Sequence, residues 1–183
     1  MTLAGRVRHA LAGGAVATAA ERRAPMPGDE LVPGGAVATH AITIGAPPVA
    51  VWPWLVPMGC DRAGWYSVDR LDNGGRRSAD AIVPELQGLA AGDRVPGWPG
   101  HRLLLTAHVV DPGRALVLDW RGRRSCLSWA FTLARHGADG TRLVVRIRAR
   151  YPAPAALVLR ALLPGHDVLQ GLQLRRIRER AER

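Results

Sequence analysis

Hydrophobic and polar positions change period along this chain, and each change marks an element. Residues 37–44 alternate, with His40, Ile42 and Ile44 on one face, which predicts a strand. Gly45 to Pro48 turns it. Pro47 or Pro48 suits a first helical turn, where a missing N–H has no partner to lose. Residues 49–58 read as that helix, with Pro53 inside its first turn and Pro57 ending or kinking it. The stretch 59–100 is irregular, with short helical pieces at 68–71 and 84–89 and the loop GDRVPGWPG at its end. Four strands follow, at 103–110, 115–120, 124–133 and 142–150. Their separators, Asp111-Pro112-Gly113, Arg121-Gly122 and Gly137-Ala138-Asp139-Gly140, carry turn chemistry, so an antiparallel meander is expected.

In the last strand Leu143, Val145, Ile147 and Ala149 alternate with Arg142, Arg146, Arg148 and Arg150. In its neighbour Leu127, Trp129, Phe131 and Leu133 share one parity. Such alternation predicts one buried face and one solvated arginine face. Residues 154–182 then read as helix, with a break at Pro164-Gly165. Leu169, Leu172, Leu174 and Ile177 give its second half a broad apolar face, and its basic end suits the helix dipole. The simplest packing is an α+β domain in which a curved antiparallel sheet wraps around one long C-terminal helix. A sheet cannot close fully on a single helix, so an internal cavity lined by its apolar face is expected. The organisation expected is an N-terminal helix or arm over 1–24, a Pro- and Gly-rich linker over 25–36, and one domain over 37–183.

Composition narrows the partners. The formal charge of +10 invites a nucleic-acid reading, but all 25 basic residues are arginine and they spread along the whole chain. The densest cluster, from Arg175 to Arg183, also carries Glu179 and Glu182, which is the pattern of a solvated helix face; no specific nucleic-acid partner is expected. Cys60 and Cys126 are far apart, so a reduced compartment and a buried, inert Cys60 fit better than a disulfide framework. No run approaches the apolar length of a membrane span. Arg6 and Arg8 ahead of ALAGGAVATAA imitate an export signal, but that run is mostly alanine and glycine. A cytoplasmic location is the expectation.

The candidate chemistry concentrates in residues 39–73. Trp65 and Tyr66 are read equally as cavity lining and as plain core. Trp54, Met58, Trp129 and Phe131 are interior groups, and where the core is a cavity wall they are ligand contacts as well. Asp69 could hydrogen-bond a ligand or act as a base, or else cap a short helix. Asp72 and Asn73 fit a turn better than a site. His40 shares the inward parity of Ile42, so a general base is conceivable, although a hydrogen-bonded strand histidine is the plainer reading. His108 has no assigned face, and Glu85 either caps a turn or reaches the pocket. The six histidines form no HxxH or HxxxH pair, so no metal and no cofactor is expected. No GxSxG, P-loop or GxGxxG occurs.

In combination, PGDELVP, THAITI, APP, VWPWLV, MG, RAGWYS, LDN, SA, IVPE, GD, SWAF, DGTRL and IRERAER resemble the SRPBCC superfamily. That helix-grip group includes START lipid-transfer domains, birch-pollen-allergen-like proteins and polyketide cyclases or dehydratases. The resemblance is nearest to uncharacterised bacterial members and covers 25–183. Pro57 departs from it, because relatives tend to carry glutamine after WPWLV. The resemblance implies the helix-grip fold and a cavity for a hydrophobic small molecule, a lipid or a polyketide-like metabolite. It implies no particular reaction. A cyclase or dehydratase is the rival reading, and an interaction module acting through the exposed arginine face is the third. Oligomeric state is left open.

Overall fold

Alternating residues after position 36 build a six-stranded antiparallel sheet that curves around the C-terminal helix. The computed structural model describes residues 15–153 and 155–183, except the side chains of 156–164. The elements are α1 (Ala19–Arg23), β1 (Ala36–Ile44), α2 (Pro48–Leu55), α3 (Asp69–Asp72), β2 (Arg94–Pro96), β3 (Leu104–Asp111), β4 (Ala115–Arg121), β5 (Cys126–His136), β6 (Gly140–Arg150) and α4 (Ala155–Ala181). Sheet order is β1-β6-β5-β4-β3-β2, so the meander is as expected and β1 returns to pair with β6. This is the α+β helix-grip architecture. The first 14 residues of the expected N-terminal arm, with Arg6 and Arg8, lie outside the described residues.

Local chemistry explains most boundaries. Pro48 opens α2, and the helix stops two residues before Pro57, whose carbonyl accepts from Ala63 N–H at 3.0 Å. Two expectations are corrected. The loop containing Arg94–Pro96 supplies a short edge strand, where a terminal proline does no harm to a ladder. The last helix does not break at Pro164-Gly165 but continues over 27 residues. A proline removes one backbone bond from a helix. The following turns are anchored by Leu174 and Ile177, both fully buried.

The inner core lies between α4, α2 and the concave sheet face. Ile42, Ile44, Leu116, Leu118, Phe131, Leu143 and Val145 meet Leu55, Leu174 and Ile177 there. The outer face differs from the expectation of solvated arginines. Residues 15–32 lie across it: Met26, Leu31 and Val32 pack on Val117, Cys126 and Ala130 in a second apolar cluster. Thr18 and Glu21 close a capping box on α1. Glu21 also takes a bidentate contact from Arg142, at 2.7 and 3.0 Å.

At the centre of this strap, Arg146 is 2% exposed. It donates to Asp29 Oδ2 at 2.7 Å, to the carbonyls of Ala24, Glu21 and Arg22 at 2.9, 2.7 and 3.2 Å, and to Thr39 Oγ1 at 3.2 Å. The other Asp29 oxygen accepts from Arg148 at 2.7 Å. Period-two patterning correctly separates the faces, but an arginine face can be buried when carboxylates and carbonyls from elsewhere satisfy its forked donors. The exposed arginine face needed by an interaction module is therefore largely covered on β6.

Breaking a buried, fully paired charge leaves its partners orphaned. Arg146→Met is expected to cost about 3–5 kcal/mol, read from the urea unfolding midpoint. Arg142 holds the Glu21 carboxyl down at about 2, from an ordinary 4.5. Its folded pKa is depressed, so its contribution is complete above pH 4.5 and lost as pH falls from there towards 2. Glu21→Gln should flatten acid unfolding across that window, measured as Tm against pH.

Candidate functional site

The site begins at a tight turn. Gly59 and Gly64 form an isolated antiparallel bridge, with Gly64 N–H donating to Gly59 O at 3.0 Å. Gly64 sits at φ +79°, and a Cβ there would collide with Ser78 Oγ and the Asn73 amide. Tyr66 follows at φ +54°, a conformation costing roughly 1–3 kcal/mol for a bulky residue. The turn sends its two rings apart. Trp65 stacks on Trp129 with centroids 4.9 Å apart, and Trp129 meets Phe131 at 5.2 Å. Tyr66 instead lies edge-on to Trp54 at 6.2 Å, with the Arg180 guanidinium 4.9 Å over its ring. Burial pushes its hydroxyl well above the ordinary tyrosine range, so Tyr66 is a neutral core group.

Between the Trp65 side of this turn, one end of the sheet and α4 lies a pocket of about 270 Å³. Its apolar wall is Leu103, Leu105, Leu127, Trp129, Ile147 and Leu169, with half-exposed Trp98 among its lining residues. Ser67, Asp72, His166, Gln170 and Gln173 add polar groups. Beside it runs a directional chain of hydrogen bonds. Trp129 Nε1–H donates to Gln170 Oε1 at 3.1 Å, Gln170 Nε2 to Gln173 Oε1 at 2.5 Å, and Gln173 Nε2 to Trp65 O at 2.9 Å. Both glutamines are buried, so sheet, helix and turn are locked together through low-dielectric contacts.

Three buried polar atoms on the pocket wall have no hydrogen-bond partner among the described residues: Trp65 Nε1, Asp72 Oδ1 and His166 Nδ1. Burial raises the Asp72 carboxyl to about 6, against a lowering by Ser67 and a further raising by Asp69. Burial, reinforced by His40, lowers His166, while Asp167 opposes that shift.

Of the residues singled out in the sequence, Trp65 and Trp129 line this pocket. Trp54, Met58, Tyr66 and Phe131 belong to the adjoining core. Asp69 is turned to Ser78, whose hydroxyl donates to Oδ1 at 2.6 Å; the neighbouring Asp72 faces the pocket. Asn73 is buried, with its amide donating to Arg76 O at 2.8 Å, which is a turn role. Cys60 is buried and its thiol is pushed up by burial, as an inert group should be. His108 is exposed, and Glu85 is exposed inside the 3₁₀ turn Pro84–Leu86, where it caps nothing.

His40 is buried, and its Nε2 lies 3.1 Å from Asp167 Oδ1. Its ring is 6.2 Å from that of His166, and donor atoms of all three residues lie within 4.8 Å of one another. Local spacing could not reveal this cluster, because β1 and α4 bring it together from opposite ends of the chain. His166, Gln170 and Gln173 were legible only as polar interruptions of an otherwise apolar helix face.

No family model matches the chain, and no curated protein matches it. Solved structures do. A protein from Thermobifida fusca, solved by NMR in solution, superposes with a TM-score of 0.52 at 12% identity, covering 79% of this chain and 92% of that one. CalU16 from Micromonospora echinospora gives 0.41 at 14% identity, over 80% and 83% of the two chains. DynU16, from the dynemicin biosynthetic locus, gives 0.45 at 19% identity, over 75% of this chain and 46% of that one. At 12% identity the Thermobifida fusca structure shows a likeness of fold alone. No helix among the described residues is long and apolar enough to cross a membrane.

The raised Asp72 carboxyl has a stability consequence. Folding favours its protonated form, so its contribution is complete below pH 3.8 and declines as pH rises through 6. Asp72→Asn should therefore stabilise the protein at pH 7 by about 1 kcal/mol, allowing for screening at a partly exposed group. It should leave Tm near pH 3 unchanged. A pH series of thermal melts checks both limits.

Proposed function

We propose that the chain binds a hydrophobic small molecule in the pocket between the sheet and α4. The observation that carries this is an apolar wall interrupted by three buried polar atoms without partners, at Trp65, Asp72 and His166. Each such group costs roughly 1–3 kcal/mol when left unmade, and a ligand with matching polar atoms relieves that cost. The volume of about 270 Å³ selects among ligands. It falls just below the range of about 300–1,000 Å³ usual for small-molecule sites. A compact, ring-bearing metabolite of the polyketide kind therefore fits better than a lipid with long acyl chains. Trp65 and Trp129 supply faces for a ring, Trp65 N–H donates to an oxygen, and Asp72 orients a second polar atom. The resemblance of 25–183 to the SRPBCC superfamily supports the same reading.

A second reading, a cyclase- or dehydratase-type enzyme, is favoured by Asp72. A carboxyl raised to about 6 in an apolar pocket exists in both protonation states near neutrality, as a proton-transfer group requires. Walls that fold a flexible substrate would supply the proximity term. Binding and catalysis differ in the Asp72→Asn variant: a binding protein loses affinity modestly, whereas an enzyme retains its substrate and loses turnover.

Anilinonaphthalenesulfonate, an aromatic probe with a polar end, tests the pocket directly. It is expected to bind one per chain and quench tryptophan emission through Trp65 and Trp129. Leu127→Trp, which fills the wall, should weaken it at least tenfold. Equal binding in both proteins would place the probe elsewhere and remove the proposal. Native mass spectrometry of the purified protein would then show whether a co-purifying metabolite displaces the probe.

A further inference from the structure

We propose that His40, His166 and Asp167 form a binding site for a divalent first-row transition-metal ion at the pocket wall. The three residues come from two elements packed together. His40 projects from β1 on the inward face it shares with Ile42 and Ile44, and His166 and Asp167 are consecutive on α4. Their donor atoms lie within 4.8 Å of one another. The His40 Nε2 to Asp167 Oδ1 separation is 3.1 Å. Two neighbouring ligands on an ion with bonds of about 2.0–2.2 Å stand roughly 2.8–3.6 Å apart, so this pair already has the required spacing. The wider limit of 4.8 Å for the set means that a side-chain rotation must draw the remaining donor in.

The donor types select the ion. Two imidazoles and one carboxylate suit zinc, cobalt, nickel or ferrous iron. Calcium and magnesium are disfavoured, since they call for oxygen ligands throughout. The buried Nδ1 of His166 has no hydrogen-bond partner among the described residues, an independent sign that this ring serves something other than packing. His166 also lines the pocket. Three protein ligands leave at least one position open on such an ion, and His166, which lines the pocket, would bring that ion beside the apolar chamber. This aspect rests on the pocket reading above: the ligand drawn there would carry an oxygen donor, such as an enol, phenol or carboxylate, that completes the coordination. An ion so placed polarises a bound oxygen and anchors one end of the ligand.

The test uses the full chain without an affinity tag, stripped with a chelator and titrated with cobalt(II) alone. The expected result is one equivalent per chain with a visible d–d absorption, displaced by zinc. Asp167→Asn, which preserves shape, and His166→Ala should each weaken binding at least tenfold. His108→Ala, at an exposed ring 3.8 Å from Asp119, should leave the titration unchanged. Circular dichroism confirms that each variant is folded, and Asp167→Asn decides the matter if His166→Ala is not. Absence of a saturable cobalt spectrum, or equal affinity in wild type, Asp167→Asn and His166→Ala, overturns the proposal. Anilinonaphthalenesulfonate binding to the stripped protein is measured in parallel. Retained probe with no cobalt site refutes the metal alone, whereas loss of both refutes the pocket.

Discussion

One helix cannot cover the concave face of a six-stranded sheet, and the arrangement of this protein follows from how that shortfall is distributed. Towards its C-terminal end α4 fits closely, with Leu174 and Ile177 completely enclosed by hydrocarbon from the sheet and α2. Earlier along the helix the inward positions are His166, Gln170 and Gln173, and the space opposite them stays open as the pocket. The apolar end supplies the packing energy, and the polar end supplies a defined chamber.

That chamber keeps its shape because its two buried glutamines are committed in sequence. Gln170 and Gln173 transmit a single donor direction from the Trp129 indole on the sheet to the Trp65 carbonyl on the turn. Each link fixes a rotamer on a different element, so the wall is organised before any guest arrives. The strained Tyr66 backbone has a related cause. Trp65 must reach the pocket while Tyr66 reaches the opposite side of the same turn, and a positive φ provides that divergence.

Much of the sheet was legible because its signal is local. Alternation and Gly-Pro-Asp turns specify strand order up to the pairing of β1 with β6, and the proline at residue 48 marks a helix start. What was not legible depends on distance. Arg142, Arg146 and Arg148 read as wet because their partners, Glu21 and Asp29, lie more than a hundred residues away. His40 showed its inward face but not its companion on α4. Asp69 and Asp72 share a turn of helix, and only the folded backbone decides which of them meets Ser78 and which meets the pocket. Period reports which side of an element is buried, never what arrives to cover it.

The strap over the outer face has an implication for synthesis. Residues 15–32 leave the ribosome long before Arg146, their central anchor, which is 117 positions beyond Asp29. Until β6 is made, Met26, Leu31 and Val32 have only Val117 on β4 and Cys126 and Ala130 on β5 to rest on, and the carboxylate and carbonyls beside them have no guanidinium. Between the synthesis of residue 32 and that of residue 146 the strap therefore lacks its central ion pair. Its polar anchoring reports that β6 is in place, and a chain truncated before β6 would present that segment, held by apolar contacts alone, to the cell's chaperones and proteases.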